Sequence, residues 1–139
     1  MIIYLVRHGD AVPEEKDPAR PLSEKGRAEV EATARGLRDQ GAKADEIWHS
    51  GKLRAKQTAE IIAGVLNVSH VIEKEGLKPD DPATPIADLI RQTNKNILIA
   101  GHLPFIPKLA VVLEPNLRDS EALALKSGGV LRIPTSANP

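Results

Sequence analysis

Apolar residues occur in short runs along the chain, and longer segments with a helical repeat separate these runs. The runs IIYLV and NILIAGH are rich in β-branched residues, as expected for strands that are covered on both faces of a sheet. Shorter runs of the same kind read DEIWHS, HVIEK and GVLRI. We therefore predict a strand in each of these segments, and we expect the tail after Pro134 to fray.

The segments between the predicted strands carry apolar residues every three or four positions, which predicts amphipathic helices. Ser23 is a candidate N-cap for the first helix, and Gly41 can end it. Thr84 and Pro85 are typical of a helix start. A helix with Phe105 on its apolar face is predicted to follow the NILIAGH strand.

The alternation of strands and helices predicts an α/β fold with a mainly parallel sheet and helices on both faces. A chain of 139 residues is long enough for one domain with a substantial core, so we expect a single domain over residues 1–139. In sheets of this kind, ligands bind beyond the carboxyl ends of the strands. The residues at those ends are therefore the first candidates for chemistry.

The carboxyl ends of the predicted strands bring together side chains suited to phosphate. Arg7 and His8 follow the first strand, Arg54 comes soon after the second, and His102 follows the NILIAG run. A neutral imidazole can attack phosphorus, and the guanidinium fork matches phosphate oxygens. Two arginines would also neutralise charge in the transition state and keep a nearby histidine unprotonated. These residue types predict His8 as the nucleophile, with the other three binding the phosphoryl group.

Two further residues at these strand ends are candidate phosphate contacts. Gly9 is expected to let the backbone approach the anion closely. Ser50 is either a helix cap, a phosphate contact or both. Helices that begin after Ser50 and after His102 would point their positive ends toward the bound anion.

Composition narrows the classes of partner. The chain has 19 Lys plus Arg and 19 Asp plus Glu, which argues against nucleic acid or an anionic membrane as partner. The absence of cysteine excludes thiol catalysis and disulfides. No run reaches membrane-spanning length and no secretory leader pattern is present, so we expect a cytoplasmic protein. A zinc site of His8, His49 and His102 is conceivable, but the flanking arginines argue against it, and we expect no metal.

Three segments, LVRHGDA, HSGKLRAKQTAEIIA and IAGHLPFI, resemble in order the three motifs of the histidine phosphatase superfamily. The short chain, Asp10-Ala11 after the first motif and the segment ARPLSEKG are similar to the small SixA-type phosphohistidine phosphatases. The resemblance implies a three-layer α/β/α sandwich of phosphoglycerate mutase-like topology, with an antiparallel last strand and no cap domain. It also implies a covalent phosphohistidine on His8, no cofactor, and Arg20 as a substrate or phosphate contact.

One position departs from the pattern of the superfamily. Members that act on oxygen esters usually carry a Glu or Asp after the third strand as general acid, whereas Pro79 stands near that place, followed by Asp80 and Asp81. A missing acid costs the release of an alkoxide about 10²–10⁴-fold. A phosphoimidazole has a weaker bond to phosphorus, and solvent can protonate its leaving group.

We therefore predict a phosphatase for phosphohistidine on a protein. Two alternatives stay open. One is a phosphatase for small phosphate monoesters with Asp80 or Asp81 as the acid. The other is a phosphate-binding module without turnover.

Overall fold

The computed structural model describes residues 1–135. Of the tail expected to fray after Pro134, Thr135 is described, and its amide donates to the Met1 carbonyl oxygen at 3.0 Å, so this residue is held beside the start of the first strand. Residues 136–139 lie outside the described residues. The strands are β1 (Ile2–Arg7), β2 (Glu46–His49), β3 (Val71–Glu73), β4 (Ile97–Gly101) and β5 (Val130–Pro134). The helices are α1 (Glu24–Asp39), α2 (Leu53–Leu66), α3 (Thr84–Thr93) and α4 (Phe105–Leu113). Short 3₁₀ turns at Pro115–Leu117 and Glu121–Leu123, which the apolar pattern did not predict, connect α4 to β5.

The strands form one sheet in the order β3-β2-β4-β1-β5. β1 runs parallel to β4, β4 parallel to β2 and β2 parallel to β3, whereas β5 runs antiparallel to β1. In this register Arg7 lies opposite Gly101, and His49 lies opposite Ala100. The carboxyl ends of β1, β2 and β4 are therefore level at one edge of the sheet.

Two apolar cores enclose the sheet, one on each face. α1 and α2 pack with Tyr4 and Val6 on one face, and α3 and α4 pack with Ile3 and Leu5 on the other. All four side chains of β1 are at most 4% exposed. Burying one such side chain stabilises the fold by about 1.5–3 kcal/mol. A shift of one residue in the pairing register of β1 would turn every one of these side chains to the opposite face of the sheet. The position of Arg7 at the end of β1 is therefore strongly specified.

The predicted fold class is confirmed: a three-layer α/β/α sandwich with a mostly parallel sheet and an antiparallel last strand. No cap domain interrupts the elements between residues 1 and 135. The helix ends also follow prediction, since the Ser23 hydroxyl accepts a hydrogen bond from the Gly26 amide at 3.0 Å, and α1 ends two residues before Gly41. Within the described range, no helix has the length and hydropathy needed to cross a membrane.

Candidate active site

His8 follows β1 directly, and its ring nitrogens are distinguished by one hydrogen bond. The Nδ1 atom lies 2.7 Å from the Gly9 carbonyl oxygen. A carbonyl oxygen can only accept, so Nδ1 carries the proton of the neutral ring and Nε2 keeps its lone pair. Burial, together with Arg54 and Arg7, outweighs the Gly9 hydrogen bond and lowers the pKa of His8 to about 4. At neutral pH, Nε2 is thus an available nucleophile.

His102 follows β4, with its ring centroid 5.2 Å from that of His8. Its Nε2 atom lies 2.7 Å from the hydroxyl oxygen of Ser50, and the Lys52 amide donates to that oxygen at 3.3 Å. Burial first, and then the neighbouring His8 and Arg54, lower the pKa of His102 to about 3. The N-cap residue of α2 is Lys52, so the expectation of Ser50 as the helix cap is wrong. The Ser50 hydroxyl instead holds the second histidine and contacts the turn that leads into α2.

Arg54, Arg7 and Arg20 bring positive charge to this site. Burial, followed by the charge of Arg20, lowers the pKa of Arg54. The Nη1 atom of Arg7 donates to the Leu125 carbonyl oxygen at 2.9 Å, on the loop before β5. Arg20 has a left-handed backbone (φ +49°), and its Nε donates to the Val12 carbonyl oxygen at 3.2 Å.

The positive charge of Arg20 lowers the pKa of both histidines as well as that of Arg54. The guanidinium of this loop residue is therefore close to the residues at the strand ends.

Three buried side-chain nitrogens in residues 1–135 have no hydrogen-bond partner: Arg7 Nε, Arg54 Nε and His102 Nδ1. A buried donor without a partner costs about 1–3 kcal/mol, so proteins rarely leave one unpaired. All three belong to the four side chains that the sequence predicts for phosphate chemistry. The two guanidinium nitrogens can only donate, so a bound oxyanion is the partner that their chemistry favours.

Gly9 is required by packing. A Cβ atom at this position would lie 2.7 Å from the Gly26 carbonyl oxygen and 2.8 Å from a Val30 methyl carbon. The close approach of α1 therefore requires glycine here, and the expected approach of the anion to Gly9 stays a prediction. The Gly9 amide donates to the Thr58 hydroxyl at 3.2 Å, and that hydroxyl donates to the Arg54 carbonyl oxygen at 2.8 Å.

Thr58 and its neighbour Gln57 position the loop behind the nucleophile. The Gln57 side-chain oxygen accepts from the Leu22 amide at 2.7 Å. The sequence motif contains this Gln-Thr pair, but the pattern alone does not indicate which groups the two side chains contact. α2 and α4 both begin at the site edge, at Leu53 and Phe105, so their positive N-terminal ends lie near the arginines and histidines.

The candidate acids lie beside the site, on the loop before α3. One carboxylate oxygen of Asp81 accepts from the Lys78 amide at 2.9 Å and so stabilises a turn. Asp81 and Ser50 also line one open groove. Asp80 is exposed, and in the described part of the chain no hydrogen bond joins either carboxylate to His8 or His102. The same residues contain no group of three His, Asp or Glu side chains that could hold a metal.

Comparisons with a family model, with known sequences and with solved structures agree on one family. The model of the histidine phosphatase superfamily (branch 1) matches residues 3–78. Phosphohistidine phosphatase SixA of Escherichia coli (strain K12) is 31% identical over 121 residues, which are 83% of this chain and 75% of that protein.

Two solved structures extend the similarity beyond the matched residues. The protein histidine phosphatase SixA complexed with tungstate superposes with a TM-score of 0.75 and 28% identity, over 81% of this chain and 76% of that chain. A SixA-type protein of Agrobacterium tumefaciens gives a TM-score of 0.79 and 25% identity, over 94% and 89%. The phosphoglycerate mutase-like topology expected from the motifs is thereby confirmed. The chain is a phosphatase of the histidine phosphatase superfamily.

Proposed function

We propose that this phosphatase hydrolyses phosphohistidine on a protein through a covalent phosphohistidine on His8. The observation that carries the proposal is the pairing of a neutral His8, whose Nε2 has a lone pair, with three buried nitrogens that have no partner in the part of the chain the structure describes. The lone pair on Nε2 can attack phosphorus. The nitrogens of Arg7, Arg54 and His102 can donate hydrogen bonds to the phosphoryl oxygens.

The reaction proceeds in two displacements. In the first, the bond from His8 Nε2 to phosphorus forms while the bond from phosphorus to the substrate imidazole breaks. The leaving nitrogen takes the electron pair and a proton from solvent. In the second, water attacks phosphorus, His8 recovers the electron pair on Nε2, and inorganic phosphate leaves. The positive side chains of Arg7 and Arg54 bind the phosphoryl oxygens through both steps.

The choice of phosphohistidine over an oxygen ester rests on the lack of a general acid at the usual place in the sequence. Pro79 stands near the place where related ester phosphatases carry a carboxylate, and the Asp81 carboxylate is engaged with the Lys78 amide. A phosphoramidate bond needs no positioned acid, because the leaving imidazole is readily protonated from solvent. The E. coli relative that matches most of the chain is itself a phosphohistidine phosphatase, which supports the same class.

The test is hydrolysis of a histidine-phosphorylated carrier domain. We expect turnover by the wild type and none by His8→Ala. His70→Ala is the matched control, because His70 is exposed and its Nδ1 lies 3.3 Å from the hydroxyl of its neighbour Ser69, away from the strand ends that carry His8 and His102. Turnover by His8→Ala at the wild-type rate would contradict the proposal.

A small phosphate monoester is the second candidate substrate, because Asp81 lines the same groove as Ser50. To separate the two candidate substrates, hydrolysis rates are measured with an alkyl phosphate and with the phosphorylated carrier domain. Both rates are compared between the wild type and Asp81→Asn. A preference for the alkyl ester that Asp81→Asn abolishes favours the second candidate. A preference for the carrier domain that Asp81→Asn leaves unchanged favours phosphohistidine.

A further inference from the structure

Glu29, on α1, connects two loops that lie on either side of His8. Its Oε1 atom accepts a hydrogen bond from the Asp10 amide at 3.0 Å. The Ser127 hydroxyl, on the loop before β5, lies 3.0 and 3.1 Å from the two carboxylate oxygens. No motif singles out Glu29, and the reaction described above does not use it.

The peptide unit between Gly9 and Asp10 joins Glu29 to the nucleophile. Its N–H belongs to Asp10 and donates to Glu29, while its C=O belongs to Gly9 and accepts from His8 Nδ1 at 2.7 Å. The N–H and C=O of one trans peptide point in opposite directions. The carboxylate, the peptide and the imidazole therefore form one continuous hydrogen-bonded chain that ends at the nucleophilic ring.

Two glycines bring α1 close enough for this contact. A Cβ on Gly26 would overlap the backbone of Asp10, and a Cβ on Gly9 would overlap the backbone of Gly26. Gly26 and Glu29 are three residues apart on α1, so they share one helix face. The helix that packs against the loop at Gly26 thus presents Glu29 to the Asp10 amide.

We propose that Glu29 is a positioning residue that strengthens the hydrogen bond between the Gly9 carbonyl and His8. This deepens the proposed function and rests on His8 being the nucleophile. When Nε2 bonds to phosphorus, Nδ1 keeps its proton, so the ring gains one positive charge. A carboxylate at the far end of the peptide polarises the Gly9 carbonyl toward that charge, because hydrogen bonds in a chain strengthen one another.

The charges around His8 show why such support matters. The ring faces Arg54, Arg7 and Arg20, and all three lower its pKa. His102, the other titratable group packed against it, is neutral at pH 7 because its pKa is about 3. Positive charge on the phosphorylated ring is thus opposed by its neighbours. The peptide that Glu29 polarises acts from the Nδ1 side, opposite the atom that bonds to phosphorus.

A purely structural role for Glu29 is the competing explanation. The Gly128 amide, next to Ser127, donates to the carbonyl oxygens of Arg7 and His8 at 3.0 and 3.2 Å. Glu29 could therefore matter only because it holds this loop in place. Ser127→Ala removes the hydroxyl that joins the loop to Glu29 but keeps the carboxylate charge, so it separates the two roles.

The experiment compares Glu29→Gln, Ser127→Ala and the control Glu31→Gln. Gln keeps an oxygen for the Asp10 amide and an NH₂ group that can donate to Ser127, so only the charge is lost. Glu31 is an exposed residue of the same helix that pairs with Arg35 at 3.5 Å. The first readout is the proton resonance of His8 Nδ1–H in the enzyme without substrate. The second is the single-turnover rate of phosphorylation of His8 by phosphoramidate.

We expect Glu29→Gln to move the Nδ1–H resonance upfield and to slow phosphorylation about three- to tenfold, since a hydrogen bond to a charged group is stronger than a neutral one. Ser127→Ala and Glu31→Gln should keep the wild-type resonance and a rate within about twofold. A Glu29→Gln enzyme that matches Glu31→Gln in both readouts overturns the proposal. Equal slowing by Glu29→Gln and Ser127→Ala with an unchanged resonance also overturns it. The resonance needs no substrate, so it stays informative if the proposed phosphohistidine substrate is wrong.

Discussion

Replacing Ser50 by Ala should weaken the binding of phosphate through the second histidine. In the neutral His102 ring only one nitrogen carries a proton. A phosphate oxygen accepts hydrogen bonds, so Nδ1, which has no partner among residues 1–135, must be the protonated nitrogen when it binds the anion. Nε2 is then an acceptor, and the Ser50 hydroxyl 2.7 Å away is the group that donates to it. We therefore expect Ser50 to select the tautomer of His102 that binds phosphate.

The size of the effect follows from burial. Ser50 is 5% exposed and His102 is 1% exposed, so water cannot readily replace the lost hydroxyl. A buried polar atom left without its partner costs about 1–3 kcal/mol, and 1.4 kcal/mol corresponds to about a tenfold change in an equilibrium constant. We expect the Kd for inorganic phosphate to rise about 5- to 150-fold in Ser50→Ala.

Isothermal titration calorimetry with inorganic phosphate measures this change directly. Ser50→Thr, which retains a hydroxyl, should restore part of the affinity. Ser69→Ala is the control, because it removes an exposed hydroxyl 3.3 Å from Nδ1 of His70. If Ser50→Ala binds phosphate as tightly as Ser69→Ala does, the reasoning about the His102 tautomer is refuted.

Two further predictions concern stability. Gly9→Ala should lower the free energy of unfolding by about 1–3 kcal/mol in denaturant titrations, because its methyl group would collide with α1. Gly36→Ala should not destabilise the protein, because apart from its chain neighbours and its own helix backbone, no atom of residues 1–135 lies within 4 Å of the added carbon. The pKa values of His8 and His102 in the folded protein are about 4 and about 3, against 6.5 ordinarily, so the unfolded chain binds more protons below pH 6.5. The free energy of unfolding should therefore fall as the pH drops from 6.5 toward 4. If it falls equally steeply in the double variant His8→Gln, His102→Gln, these two histidines do not cause the pH dependence.

The strands and the meeting of the site residues were predictable from sequence because both depend on strong local signals. The covered apolar runs of β1 and β4 identify central strands of a parallel sheet. The carboxyl ends of such strands meet at one edge, which is why His8 and His102 come within reach of each other. Arg54 follows β2 in the same way. These inferences need only the order of the elements and their direction.

The role of Glu29 could not be predicted, for a physical reason. α1 carries Glu24, Glu29 and Glu31, and the helical repeat does not distinguish a carboxylate that receives a backbone amide from one in solvent. The distinction arises only when Gly9 and Gly26 come into contact.

Ser50 shows the same limit. Its position after a strand indicates a cap, but its partner His102 is 52 residues away and depends on the register between β2 and β4.

A rapid-quench experiment tests most directly whether His8 is the nucleophile. The wild type is mixed with a carrier domain that is ³²P-labelled on histidine, and the reaction is stopped within the first turnover. If His8 attacks phosphorus, an acid-labile, base-stable label appears on this protein, maps to His8 and is absent from His8→Ala. Turnover without any labelled enzyme, or a label on another residue, would contradict this role of His8.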